Sequence, residues 1–177
     1  MGLIEREFKL KVERARFHHL AALIEINKAV APKWHRNKLL RASLKEKRAF
    51  IAFMGRIPAG FLVWTKDFYS HHFIDLVLVH PQMRRKGVAQ ELLKAVESIC
   101  PGNKLFSSTN RNNIAMQKVF QGAGFIKSGI ITHLDKGNPE LIFYKKVPPR
   151  IAAPKPRPRP RPKRKRAPRK NRRSKRK

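Results

Sequence analysis

The chain has one cysteine, few acidic residues and no long apolar run. A single thiol, Cys100, excludes an intrachain disulfide and fits a reducing compartment. Its place near the end of a helical pattern suits a buried thiol rather than a nucleophile. No apolar stretch approaches the length of a membrane span, and the first residues lack a secretory apolar segment. The histidines, including His71 and His72, have no ligand-like spacing with cysteine or carboxylates, so no metal is expected. Acids number 11 against 42 Lys and Arg in 177 residues, a net charge of +31. Charge of one sign at this density favours polyanions: nucleic acid, ribosomes or an acidic membrane surface.

That charge is divided between two regions. Residues 148–177 hold 16 Lys or Arg and no acid, which leaves 26 basic against 11 acidic residues, or +15, in residues 1–147. The length of 1–147 suits one compact domain. Between Pro154 and Pro162, proline alternates with Lys or Arg; this blocks helix and sheet and favours extended polyproline-like chain. The following basic run has no large apolar residue to offset its ordering entropy. Residues 148–177 are therefore expected to be a disordered basic tail when free. It is either a solvated extension or a binder of nucleic acid or ribonucleoprotein. The expected location is cytoplasmic or nucleic-acid-associated, and nuclear in a eukaryotic host.

Within 1–147, apolar periodicity predicts strands at 3–12, 49–54, 59–65, 73–79, 105–109, 125–133 and 141–147, and helices at 15–29, 37–47, 88–99 and 113–121. Residues 55–58 read as a turn. The order is β–α–α–β–β–β–α–β–α–β–β, an α/β chain with a mixed sheet.

The most informative stretch runs from Phe73 to Val96. An aliphatic strand ends at His80-Pro81, since proline cannot donate to a sheet ladder. Then come Arg84, Arg85, Lys86, Gly87, Val88 and Ala89, and a helix carrying Leu92, Leu93 and Val96 on one face. A strand feeding a helix through a small-residue turn aims free N–H groups outward, where they and the helix dipole favour phosphate. Gly87 lets the backbone approach an anion, Ala89 keeps the next turn uncrowded, and the three cations add charge. The plain alternative is a strand–turn–helix with a basic surface turn.

Arg84-x-x-Gly87-x-Ala89 resembles the acyl-CoA signature Gln/Arg-x-x-Gly-x-Gly/Ala of the GNAT superfamily of N-acetyltransferases. Downstream, Asn113-x-x-Met116-x-x-Val119-Phe120-x-x-x-Gly124-Phe125 resembles that family's Asn-x-x-Ala-x-x-Leu-Tyr-x-x-x-Gly-Phe segment. Two such motifs in order, with the expected strands between them, carry more weight than either alone. The resemblance implies the GNAT acyl-CoA N-acyltransferase fold and transfer of an acetyl or related acyl group from acetyl-CoA to a primary amine.

The resemblance also implies site residues. Val77, Leu78 and Val79 match the strand whose backbone pairs with the pantetheine arm. Arg84, Arg85, Lys86, Gly87, Val88, Ala89 and Gln90 match the pyrophosphate loop, and Asn113 matches a side chain on the cofactor arm. Phe120 stands among the cofactor-binding positions where many members carry a tyrosine general acid, and it has no proton to give. Ser108 stands where some members carry a glutamate base. Asp75, the one carboxylate in its apolar strand, matches another acidic position of the family. It is either a base whose pKa is raised by burial or a partner for nearby cations. His133 and Tyr144 are reserve candidates.

The family's acceptor wall corresponds to Lys33, Trp34, His35, Arg36, Asn37 and Lys38, where Trp34 either stacks on a base or anchors the core. Two functions remain open: an active N-acetyltransferase recruited to polyanions, or a nucleic-acid-binding protein with a weak or inactive CoA-binding scaffold.

Overall fold

The computed structural model describes residues 9–149, and the chain forms one seven-stranded sheet in the order β1-β2-β3-β4-β5-β7-β6. The elements are β1 (Leu10–Arg14), α1 (Leu20–Val30), α2 (Asn37–Lys45), β2 (Ala49–Met54), β3 (Ile57–Phe68), β4 (His71–Val79), α3 (Val88–Glu97), β5 (Lys104–Asn110), α4 (Ile114–Gly122), β6 (Ile126–Ile131) and β7 (Glu140–Lys146). Short 3-10 turns at Phe17–His19 and Pro81–Met83 precede α1 and follow β4. The element order read from periodicity holds, and the sheet is mixed, because β4 and β5 pair parallel while every other pair is antiparallel. Residues 3–8 of the expected first strand lie outside the described residues. So does the expected tail, apart from Pro148 and Pro149.

Two cores sandwich the sheet. On one face Val88, Leu92, Leu93 and Val96 of α3 pack with Leu62, Ile74, Leu105, Phe120 and Phe143. On the other, Leu23 and Ile26 of α1 and Leu40 and Leu44 of α2 pack with Ile51, Phe61 and Val63. Each fully buried aliphatic side chain contributes roughly 1.5–3 kcal/mol. Residues 61 to 63 alternate between the cores, so β3 is covered on both sides; this explains its continuous apolar reading.

The third strand starts earlier than its pattern suggests, at Ile57, and contains Pro58. The ladder steps from Ala52↔Gly60 to Phe53↔Pro58, so Ala59 is a bulge residue and Pro58 sits where pairing is already interrupted. Helix α4 ends in a Schellman motif. Phe125 N–H donates to Phe120 O (2.9 Å) and Gly124 N–H donates to Gln121 O (2.9 Å), with Gly124 at φ +81°. The accompanying apolar contact is Phe120 against Phe125, ring centroids 5.3 Å apart.

Candidate acyl-CoA cleft

Strands β4 and β5 part company. Their ladder runs only from His72↔Leu105 through Ile74↔Ser107. The last rung is reinforced by the buried Ser107 hydroxyl, which donates to Ile74 O at 3.0 Å. Beyond it β4 keeps its partner β3, with Leu76 to Val79 opposite Val63 to Gly60, but has no partner on the β5 side among the described residues. The N–H and C=O groups on that edge are therefore available to an extended ligand.

The parting coincides with a bulge. Val63 faces Leu76 and Trp64 faces Ile74, which leaves Asp75 as the extra residue. An extra residue changes which side chains face which core. Ile74 packs on the α3 side; past the bulge, Val77 and Val79 face that side while Leu76 and Leu78 turn to α1.

At the mouth of the gap the chain forms an anion nest. Arg85 (φ +59°) and Gly87 (φ +78°) are both left-handed, and Gly87 is the N-cap of α3. Among the described residues, the N–H groups of Arg85, Lys86, Gly87, Val88, Ala89 and Gln90 have no hydrogen-bond acceptor; the first bond of the helix is Glu91 N–H to Gly87 O, 3.1 Å. Alternating backbone handedness at a helix N-terminus concentrates such donors on one spot. A Cβ on Gly87 would meet nothing within 4 Å, so the space above it is open. That open space, the free N–H groups and the two arginines fit a diphosphate.

These features line one cleft of about 620 Å³. It gathers Val77, Leu78, Val79, Arg84, Arg85, Gly87, Val88, Ala89, Gln90 and Asn113. It adds Val30, Met83 and Ala115, which local patterns did not mark. Lys86 is exposed outside the lining, its Nζ 3.9 Å from Met83 Sδ. Asn113 also caps α4: its Oδ1 accepts from Met116 N–H (3.2 Å), and its Nδ2 donates to Thr109 Oγ1 (3.0 Å). A second hollow of about 580 Å³, beside α1, shares no lining residue with the cleft.

Phe120 is not in the cleft. Its ring is 1% exposed and packs against Phe125 and Phe143, because the same helix turns Met116 and Val119 to the cleft and Phe120 to the core. Ser108 is half-buried opposite Ile142. His133 is exposed, with φ +65°. Tyr144 is half-buried against Phe106, ring centroids 5.3 Å apart. Cys100 is buried and donates to Val96 O (3.2 Å); burial pushes its thiol up to about 11, with Glu97 adding and Lys145 opposing.

Asp75, which is not among the residues lining the cleft, is a perturbed carboxylate. Loss of hydration pushes it up to about 6; the Arg48 guanidinium pulls it down and Asp67 pushes it up. Solvent nevertheless reaches the residue, which is exposed. Accessibility and desolvation are compatible for a carboxylate touched by water on one side and hemmed in by protein on the others. Arg48 itself is held by Glu46 and, at 3.7 Å, by Asp67, so it is shared among acids rather than given to Asp75.

The Acetyltransferase (GNAT) family matches over residues 16–125. No curated protein matches the sequence. Among solved structures, a GNAT-family acetyltransferase from Bacillus cereus ATCC 10987 is 36% identical, with a TM-score of 0.73 over 78% of this chain and 97% of its own. The ribosomal-protein-S18-alanine N-acetyltransferase of Escherichia coli shares the fold at 16% identity, TM-score 0.68, over 79% of this chain and 95% of its own. The yncA protein of Salmonella typhimurium, solved with its cofactor acetyl-CoA, does so at 16% identity, TM-score 0.65, over 82% of this chain and 97% of its own. A family match over most of the described residues and a 36% identical relative agree: the chain belongs to the GNAT acetyltransferase family.

Proposed function

We propose that the protein is an N-acetyltransferase that moves the acetyl group of acetyl-CoA to a primary amine on a protein, an aminoacyl-tRNA or another nucleic-acid-associated acceptor. The observation that carries the reading is the parting of β4 from β5 beside an anion nest. Acetyl-CoA supplies the activated acyl carbon as a thioester. The free edge from Val77 to Val79 holds the pantetheine arm by backbone hydrogen bonds. The N–H groups from Arg85 to Gln90, with Arg84 and Arg85, hold the diphosphate, and Asn113 flanks the arm. Asp75 takes a proton from the incoming ammonium, a task that suits a carboxyl near 6 at neutral pH. The neutral amine attacks the thioester carbon and the C–S bond breaks; the nitrogen gives its second proton to water as the amide forms, and the thiolate takes a proton from water, since Phe120 has none to give.

Residues 1–147 form the catalytic domain in this reading, and residues 148–177 recruit it to a polyanion. The +31 charge supports recruitment. A relative that acetylates a ribosomal protein and an Arabidopsis thaliana relative bound to a CoA–peptide bisubstrate analogue support a macromolecular acceptor. The test is CoA release from acetyl-CoA over polyamines, basic peptides and aminoacyl-tRNA. Turnover with any of them supports the reading. The burial of Phe120 and the serine at position 108 favour a second reading, a nucleic-acid binder on an inactive scaffold. Acetyl-CoA binding without release of CoA from any acceptor would select it.

A further inference from the structure

Helix α2 and the loop before it present a built, charged platform outside the cleft. Leu40, Ser43 and Leu44 are buried, so the helix is fixed to the core by one side. Lys38, Arg41 and Lys45 follow one another at spacings of three and four residues, which stacks them along a single exposed stripe. Lys33 and Lys47 extend the exposed charge at either end, and between Lys33 and Arg48 the only acid is Glu46, which is paired with Arg48. Residues one helical turn apart have Cβ atoms about 5–6 Å from each other, so these cations can follow successive phosphates of a single strand.

At the head of the stripe stands Trp34, 64% exposed and absent from both cores. It is not a core anchor, and it is held in place. The buried Asn27 donates from Nδ2 to Trp34 O (2.8 Å) and accepts at Oδ1 from Arg36 Nη1 (3.0 Å). The Arg36 guanidinium in turn lies over the indole, 5.4 Å from its centroid. One buried amide thus holds both the backbone of the aromatic residue and the cation that lies over its ring. A base can stack on an indole presented in this way, while the lysines and arginine of α2 follow the phosphates.

We infer that α2 and Trp34 form a binding surface for single-stranded nucleic acid, on the body of the protein and independent of residues 148–177. An anionic membrane is the weaker fit: a helix lying in a bilayer must bury an apolar face, and α2 buries Leu40 and Leu44 in the core and leaves only Leu39 as an exposed large apolar side chain. The surface begins close to the cleft, since Val30, at the end of α1, lines it.

The test uses the full chain and an oligouridylate of about 12 nucleotides, a length within the usual footprint of such sites. Trp64 is only 8% exposed, so quenching of tryptophan fluorescence reports on Trp34. Binding followed by anisotropy of a labelled oligonucleotide should be accompanied by quenching, which Trp34→Phe should abolish. Lys38→Ala/Arg41→Ala/Lys45→Ala should lower the salt slope of binding by about 2, so that between 50 and 200 mM salt the wild type loses about 16-fold more affinity than the variant. Saturating binding without quenching, or an unchanged slope in the triple variant, would overturn the inference and leave other basic residues as the binder. Quenching and a blue shift on phosphatidylserine vesicles but not on the oligonucleotide would overturn it in favour of a membrane.

Discussion

Replacing Gly60 by alanine should damage the cleft from a strand that does not line it. Gly60 lies in β3 opposite Val79. A Cβ at Gly60 would stand 2.7 Å from Leu78 O, 2.9 Å from Val88 Cγ1 and 3.3 Å from Val79 Cα. A carbon and a carbonyl oxygen rest about 3.3–3.6 Å apart, so relief requires a shift of roughly half an ångström or more. The obstacles belong to the two parts the acyl-CoA reading needs: the backbone of β4 and the first residue of α3. Overpacking of this kind costs about 1–3 kcal/mol, and each kcal/mol lowers the melting temperature of a chain this size by roughly 2–4 °C. The expected fall is therefore roughly 2–12 °C, which a thermal scan resolves. Moving the strand edge against the nest should also weaken acetyl-CoA binding at least tenfold by calorimetry, a loss of about 1.4 kcal/mol. Gly122→Ala is the control: it sits at the end of α4 with nothing within 4 Å of its Cβ, so it should be neutral or stabilising by up to about 1 kcal/mol. If Gly60→Ala melts with the wild type and binds acetyl-CoA equally well, the claim that β3 sets the cleft geometry is wrong.

Other perturbations separate the remaining parts. Gly87→Glu should abolish acetyl-CoA binding in calorimetry, because it places a carboxylate in the nest; circular dichroism should show the fold retained, since the added Cβ meets open space, although the left-handed φ of +78° costs a side chain about 1–2 kcal/mol. Asp75→Asn should spare acetyl-CoA binding but remove the rise in turnover through pH 6; a variant with wild-type turnover across the pH range would exclude Asp75 as base. Because the folded carboxyl is raised, the native state holds its proton longer than the unfolded chain, and Asp75 loses stability to the protein as pH rises from about 4 to 6. Asp75→Asn should then melt higher than wild type above pH 6 and equally at pH 3.5. Phe120→Tyr adds a hydroxyl to a fully buried ring and should cost about 1–3 kcal/mol in denaturant unfolding if no partner is found. Deleting residues 148–177 should lower nucleic-acid affinity and flatten its salt dependence while leaving the melting temperature nearly unchanged; equal binding by the truncated chain would refute recruitment by that segment.

Much of the cleft is written locally. The largely aliphatic run from Ile74 to Val79, the proline after His80, the glycine at the head of α3 and the asparagine heading α4 each act through their own backbone preferences. Single-chain patterns therefore reveal the strand, the anion nest and the cap. The same holds for the surplus of charge, which is a property of composition.

What the tertiary structure alone decided depends on partners distant in sequence. No local signal tells β4 to leave β5 after Ile74; that follows from the register of both strands and the Ser107 hydroxyl, 33 residues away from its acceptor. The bulge at Asp75 reverses which side chains face the cleft, and only the pairing with β3 reveals it. Gly60 could have been suspected as a glycine inside an apolar strand, but the atoms it must avoid come from β4 and α3. Phe120 and Met116 occupy the same helix and the same motif, yet packing against Phe143 draws one inward and leaves the other in the cleft. Trp34 could have been core or surface by sequence; the fold had already filled its core with α1 and α2, and a buried asparagine holds the Trp34 carbonyl while the indole stays exposed. Local chemistry chose the elements, and non-local pairing and packing chose which of their side chains meet.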